Sequence, residues 1–186
     1  LYTIHKIHLL LHILLEFFNT GRPVCMDIYV RPGDSVWYYS QLFRIPLQLI
    51  IDSNRNINPQ TIQQGQRIQI PAYVAQNYQI KSGDSLWSIA MSRNLPLDTL
   101  FLINPNLNPN RLQIGQTIQV PLRITWRLVN GKQNYTYEVM MNDIQRLQTV
   151  YPFLQVSSIG NSVLNRSIPE VLIGIGDKRV AYNGSF

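Results

Sequence analysis

YQIKSGDSLWSIAMSRNLPLDTLFLINPNLNPNRLQIGQTIQVP, residues 78–121, has a near copy upstream: IYVRPGDSVWYYSQLFRIPLQLIIDSNRNINPQTIQQGQRIQIP, residues 28–71. Sliding one onto the other by 50 positions needs no gap. Gly33-Asp34-Ser35 falls on Gly83-Asp84-Ser85, Trp37 on Trp87, and Pro46-Leu47 on Pro96-Leu97. Asn54, Asn56, Asn58 and Pro59 fall on Asn104, Asn106, Asn108 and Pro109. Gly65-Gln66 falls on Gly115-Gln116, and Pro71 on Pro121. A match over the whole unit, turn residues included, marks a duplicated module.

Each copy reads as strand, helix, helix, strand. Tyr78-Gln79-Ile80 alternates like a strand edge. Gly83-Asp84-Ser85 is a turn running into a helix start, where Asp84 or Ser85 can cap free backbone N–H groups. Leu86, Ile89 and Ala90 then share one helical face, as do Val36, Tyr39 and Phe43 in the first copy. Pro96 fits only near the start of a second helix, whose buried stripe is Leu97, Leu100 and Phe101. Asn104-Pro105 stops that helix, and Gln116–Val120 alternates as a half-buried strand. Ala72–Asn77 reads as a short joint without the Gly/Ser character of a flexible tether, so the modules are expected to sit against each other.

This unit resembles the LysM module. The residues that carry the resemblance are GDSLWSIA, the Asn-Pro after the second helix, and Leu112–Pro121, which fits LxxGQxIxVP. The resemblance covers both repeats. It implies binding of N-acetylglucosamine-containing glycans, peptidoglycan or chitin, in a shallow groove between the turn before the first helix and the loop after the second. Carried onto this chain, the groove consists of Gly33, Asp34, Ser35 and Val36 with Ile62, Gln63 and Gln64 in the first copy. In the second it consists of Gly83, Asp84, Ser85 and Leu86 with Leu112, Gln113 and Ile114. Such a site needs no charged catalytic pair. An N-acetyl sugar offers an amide to the backbone and a methyl to an apolar wall, and loops rich in Gly and Asn let the backbone come close. The glycines serve turns whether or not sugar binds, Asp34 and Asp84 are expected to cap the helices, and Trp37 and Trp87 are expected to pack.

The net charge of +6 is spread along the chain. The repeats hold seven Lys/Arg against four Asp/Glu, and the stretch from Leu122 has the same balance. No basic run or aromatic interleaving points to nucleic acid. A mild positive field suits a wall carrying carboxylates and phosphates.

Residues 1–25 share no pattern with the repeats. Ile7–Phe18 is apolar but short of a membrane span, and it makes a weak signal peptide. Met26 stands just before the first repeat, so residues 1–25 read as an extension outside the fold, with a degenerate export signal as the rival reading. His5, His8 and His12 share a helical face but have no acidic or cysteine partner for a metal. Cys25 is the single cysteine, so no internal disulfide is expected.

Beyond Pro121 the pattern changes. Ile124–Val129 reads as a strand and Asn130-Gly131 as a turn. Met140, Ile144, Leu147 and Tyr151 fall on one face of a helix ended by Pro152, with Glu138 in its first turn. Strand-like runs come next at Val156–Ile159, Ile168–Ile173 and Arg179–Tyr182.

This stretch, residues 123–186, resembles the beginning of a zinc carboxypeptidase-family domain. The carrying residues are Tyr135, Tyr137-Glu138, Leu147, Tyr151-Pro152, Ser158-Ile159-Gly160, Ser162, Arg166, Ile168, Ile173-Gly174 and Asn183-Gly184. Asn165 departs from the family's usual Gly before the Arg. Paired LysM modules ahead of such a domain resemble bacterial γ-D-glutamyl-meso-diaminopimelate endopeptidases. In that family a His-x-x-Glu next supplies two zinc ligands, and this chain has no such motif.

The expected fold class is α+β: two βααβ modules in tandem plus an incomplete α/β segment. The expected function is peptidoglycan binding, as the targeting part of a cell-wall peptidase, with neither catalytic nor metal residues in this chain. The alternative is a piece of an active zinc endopeptidase. The expected setting is bacterial, at the wall or in a sporulating cell, with no stable membrane span. Each repeat is expected to fold alone around its own core, and proteolysis to trim the chain to near Pro121.

Overall fold

The computed structural model describes residues 25–125, 128, 129, 132 and 134–174 of the chain. Each repeat is a two-stranded antiparallel sheet with two short helices packed on one face. In the first, β1 (Met26–Tyr29) pairs with β2 (Arg67–Ile70), and α1 (Val36–Phe43) and α2 (Leu47–Ser53) lie between them in sequence. The second repeats the order with β3 (Tyr73–Gln79), α3 (Leu86–Met91), α4 (Asp98–Ile103) and β4 (Thr117–Arg123).

The alternation read from the sequence produces the cores. Ile28, Ile68 and Ile70 point inward from the first sheet to meet Val36, Tyr39, Phe43 and Ile50. Ile80, Ile118 and Val120 meet Leu86, Ile89, Ala90 and Leu100 in the second. Thr99 and Leu102 are also buried on α4, while Leu97 and Phe101 are half-buried at its edge. Asn54 and Asn104 do more than end a helix. Asn104 Nδ2 donates to Leu100 O and to Gln119 O, and its Oδ1 accepts from Gln119 N, all at 2.8 Å. Asn54 makes the same three bonds with Ile50 and Gln69. One carboxamide thus fastens the second helix to the second strand in each repeat.

The joint at Ala72–Asn77 is almost wholly strand, and the repeats it links pack against each other as expected. β3 begins at Tyr73, and β4 runs past Pro121 to Arg123, so the ladder takes in Tyr73↔Arg123, Val74↔Leu122 and Ala75↔Pro121. Burial explains the extension. Tyr73 and Val74 are each 2% exposed, Tyr73 in the first repeat's core and Val74 among residues beyond Pro121.

The second repeat closes a core of its own, but the first does not. Leu95 and Leu102 of the second repeat belong to the first repeat's cluster. Tyr73 packs edge-on against Phe43, with ring centroids 5.4 Å apart, and donates its hydroxyl to Phe43 O. Cys25, read from the sequence as outside the fold, is buried, and its thiol faces Ile70 O.

After β4, Ile124 and Thr125 leave the strand, and Leu128–Val129 form a bend, so none of the described residues of the strand expected at Ile124–Val129 lies in a strand. Ile124 instead turns inward to pack with Val74, Leu128 and Val150. The expected helix is present as α5 (Tyr137–Val150), capped by Thr136 and carrying Glu138 in its first turn. A hairpin of β5 (Gln155–Asn161) and β6 (Ser167–Leu172) comes after it. The expected Asn130-Gly131 turn, the Arg179–Tyr182 strand and the three histidines lie outside the described residues. Among the described residues, no helix is long and apolar enough to cross a membrane.

The end of α5 is fastened to the repeats. Cys25 N donates to Thr149 O and Ala72 N to Val150 O, each at 3.1 Å. Val150 is fully buried, and Arg55 donates to Phe153 O. Trimming back to Pro121 is therefore not the expectation this packing supports.

Candidate functional site

The sheet ends bring the two sequence-predicted segments together in each repeat. In the second, Ile80 N donates to Gln116 O at 2.9 Å and Gly115 N to Ile80 O at 2.7 Å. The turn after Ile80 and the turn before Gln116 therefore leave the same end of the ladder. The first repeat has the same pair of bonds, joining Val30 to Gln66 and Gly65.

The lips are ordered by their own bonds. Asp84 N donates to Lys81 O, closing the first turn with Gly83 at φ +85°. Gln116 N donates to Gln113 O, closing the other with Gly115 at φ +84°. A Cβ at either glycine would meet nothing within 4 Å, so backbone conformation and not space demands glycine there. Gln113 N donates to Gln116 Oε1, and Gln63 N to Gln66 Oε1 in the first repeat.

The expected caps fall to serine. Ser85 Oγ accepts from Ser88 N and Ser88 Oγ from Ser85 N, a reciprocal capping box. Ser35 Oγ accepts from Tyr38 N. Asp34 and Asp84 cap no helix. Asp84 Oδ2 accepts from Lys81 N and from the Tyr78 hydroxyl, both at 2.8 Å. The Lys81 amide and then Tyr78 hold its carboxyl below the usual carboxylate range. Burial, and then Asp84, raises the Tyr78 hydroxyl.

Not every predicted residue offers its side chain. Val36 and Leu86 are each 4% exposed and belong to the cores. Ile62 and Leu112 are half-buried against the same cores. Gly33, Ser35, Gln63, Gln64, Gly83, Ser85, Gln113 and Ile114 are exposed, and Asp34 and Asp84 are half-buried. In the first repeat, Gln63 and Gln64 line an open depression with Asn58, Thr61, Gly65 and Gln66.

Trp37 and Trp87, expected to pack, are 61% and 63% exposed. Each follows an inward residue, Val36 or Leu86, and one step along a helix turns the side chain about 100° away from the core. Their exposure at matching positions runs against the general preference of tryptophan for burial, on which the expectation from sequence rested.

This framework fits one family. Residues 28–71 and 78–121 match the LysM domain. Both repeats are LysM domains. Over 161 residues, 87% of this chain, the sequence is 75% identical to gamma-D-glutamyl-L-diamino acid endopeptidase 1 of Lysinibacillus sphaericus. The chain spans 41% of that relative's length. The LysM domain of a Volvox carteri chitinase is 43% identical, covering 26% of this chain and all of that one, with a TM-score of 0.26. The spore cortex-lytic enzyme SleL of Bacillus megaterium QM B1551 is 26% identical over 57% of this chain and 24% of its own, with a TM-score of 0.29.

The two LysM domains are not interchangeable at the groove. LysM 2 presents Ile114, 74% exposed, where LysM 1 has Gln64. Lys81 and Arg111 are exposed in LysM 2, where LysM 1 has Arg31 and Thr61. Arg31 is half-buried and engaged by two carboxylates, Asp34 and Asp98. Among the described residues, no group of three or more His, Cys, Asp or Glu could hold a metal ion. The zinc implied by the carboxypeptidase resemblance has no fitting ligand set there.

Proposed function

We propose that this chain binds N-acetylglucosamine-containing glycan of bacterial peptidoglycan through both LysM grooves. In this reading it forms the wall-targeting part of a γ-D-glutamyl peptidase. The observation that carries it is the paired-turn groove, repeated with its glycine turns and serine caps 50 positions apart in two LysM domains. Exposed backbone on both lips can meet an N-acetyl amide. Ile114 supplies an apolar wall, and Trp37 and Trp87 offer ring faces to sugar C–H groups. Lys81 and Arg111 suit a glycan bearing carboxylates better than neutral chitin.

The peptidase part rests on the similarity to the Lysinibacillus endopeptidase. No hydrolytic step is assigned to the residues described, and zinc belongs to the proposal for a full-length enzyme. The reading places the protein at the bacterial cell wall.

Co-sedimentation tests the binding. The whole chain is expected to pellet with insoluble peptidoglycan and less completely with chitin. A chain that stays in the supernatant with both polymers overturns the glycan reading. A pellet with chitin alone overturns the preference for an anionic glycan.

A further inference from the structure

Asp98 lies at the start of α4 in LysM 2, yet its carboxylate engages LysM 1. Its Oδ1 accepts from Arg31 Nη1 at 2.9 Å, and its Oδ2 accepts from Arg31 Nη2 at 2.5 Å and from the Tyr38 hydroxyl at 2.7 Å. The same guanidinium donates from Nε to Asp34 Oδ2 at 2.8 Å. Asp34 Oδ2 also accepts from the Tyr39 hydroxyl at 3.0 Å, and Asp34 N donates to Arg31 O at 3.2 Å. Arg31 and Asp34 are thus the two ends of the first lip of the LysM 1 groove. One guanidinium joins that lip to the neighbouring domain. A forked Arg–carboxylate pair fixes angle as well as distance, which a point charge cannot do.

The duplication does not account for this arrangement. The position equivalent to Asp98 is Gln48, that of Arg31 is Lys81, and that of Tyr38 is Ser88. Asp84, the counterpart of Asp34, is held within its own repeat by Lys81 N and Tyr78. Among the described residues, only the LysM 1 lip is braced from outside. Two more contacts keep the brace in register. Arg44 Nη1 donates to Asn94 Oδ1 at 2.8 Å, and Leu95 and Leu102 fill part of the LysM 1 core.

We propose that Asp98 is a positioning residue for the LysM 1 groove. LysM 2 holds the Gly33–Val36 turn in its binding shape through Arg31 and Tyr38, and the first groove is fully formed only with its neighbour docked. The ligand part of this proposal rests on the glycan reading above. The ordering of the turn is then met before the sugar arrives, which strengthens binding without any new contact to it. The LysM 2 groove has no such dependence, so the two sites respond differently to one substitution.

The test is a titration of the whole chain with a soluble N-acetylglucosamine tetramer, followed by backbone amide shifts that report each groove separately. In Asp98→Asn, affinity read at residues 33–36 and 62–64 is expected to fall about five-fold or more. Affinity read at 83–86 and 112–114 is expected to stay within about two-fold of wild type. Asp98→Glu, which keeps the charge, should recover part of the loss. Adding Arg31→Gln to Asp98→Asn should weaken LysM 1 by less than the two single losses combined. Amide hydrogen exchange, which needs no ligand, should quicken at Asp34–Val36 and stay unchanged at Asp84–Leu86. Equal losses in both grooves, or no loss in the first with unchanged exchange, overturn the proposal. No shifts in either groove of the wild type overturn the glycan reading and the ligand part of the proposal, while exchange still decides whether Asp98 holds the turn.

Discussion

At the scale of single residues, Asn54 and Asn104 show how burial sets the weight of one interaction. Both carboxamides make three bonds across helix and strand, but Asn54 is 7% exposed and Asn104 is half-buried. Removing a buried partner leaves its backbone groups without water to replace it. Asn54→Ala is therefore expected to cost about 2–3 kcal/mol, and Asn104→Ala less. Urea unfolding of both variants checks the order. The Asp98 carboxyl, held below its ordinary range first by Arg31, gives a second expectation. A depressed folded pKa adds stability that is present above the unfolded value, about 3.9, and is lost as pH falls through the lower folded value. The difference in Tm between wild type and Asp98→Asn should therefore be full near neutral pH and shrink below about pH 4. A difference that is constant down to pH 2 would contradict the ion pair. Asp98 is about a third exposed, so solvent screening keeps the pair modest in stability even where it matters for position.

At the scale of elements, α5 belongs with the repeats, and the β5–β6 hairpin stands apart from them. Val150 is fully buried among Val74, Ile124 and Leu128, whereas Val163 and Leu164 at the hairpin tip are fully and largely exposed. Arg166 reaches back over the Tyr137 ring and toward Glu138, an exposed contact of little stabilising weight. Limited proteolysis is expected to cut first around Ser162–Arg166 and to spare residues through Tyr151. Val150→Ala removes two methyl groups from a closed cluster, at about 2 kcal/mol, and should release α5 so that trimming proceeds toward Pro121. Mass analysis of the resistant fragments distinguishes the two patterns. Wild type trimmed directly to Pro121 would show that the α5 packing is too weak to matter.

At the scale of the whole molecule, the core of LysM 1 takes in residues of LysM 2, while LysM 2 keeps a cluster of its own. Tyr73, Leu95 and Leu102 fill space under the first sheet, and the Arg31–Asp98 pair closes the edge. Repeats of about 44 residues are small for independent folding, and apolar groups lent across the boundary make the first depend on the second. Calorimetry of the pair should show one cooperative transition, with calorimetric and van't Hoff enthalpies equal. A piece ending at Pro71 should lack a transition at the same temperature, because it loses all three residues from its core. Two well-separated transitions in the pair would restore the view that each repeat folds alone around its own core. Two linked weak sites gain avidity only where geometry allows, so the packing of the pair decides whether one glycan strand can occupy both grooves.

The sequence alone determined the repeat unit, because its signals are local. Glycines in left-handed turns, serines before helices, prolines at helix starts and alternating isoleucines each act within a few residues. Copied 50 positions apart, they state the same βααβ order twice. The resemblance to LysM rests on the motifs they form, and the two segments it implies as a groove leave the same end of the ladder, where Ile80 joins Gly115. Tertiary structure decided what those signals could not carry. Asp34 and Asp84 have the sequence position of caps, but Arg31, Tyr39, Lys81 and Tyr78 surround and engage them instead. Trp37 and Trp87 have the chemistry of core residues because aromatic rings are usually buried, but their helices present them outward. The strand in the supposed joint, the docking of α5 and the brace from Asp98 to Arg31 all depend on contacts between residues far apart in sequence. Those last two are 67 positions apart. Nothing in the local pattern of either side chain names its partner, because the free energy of that contact exists only once both domains have packed.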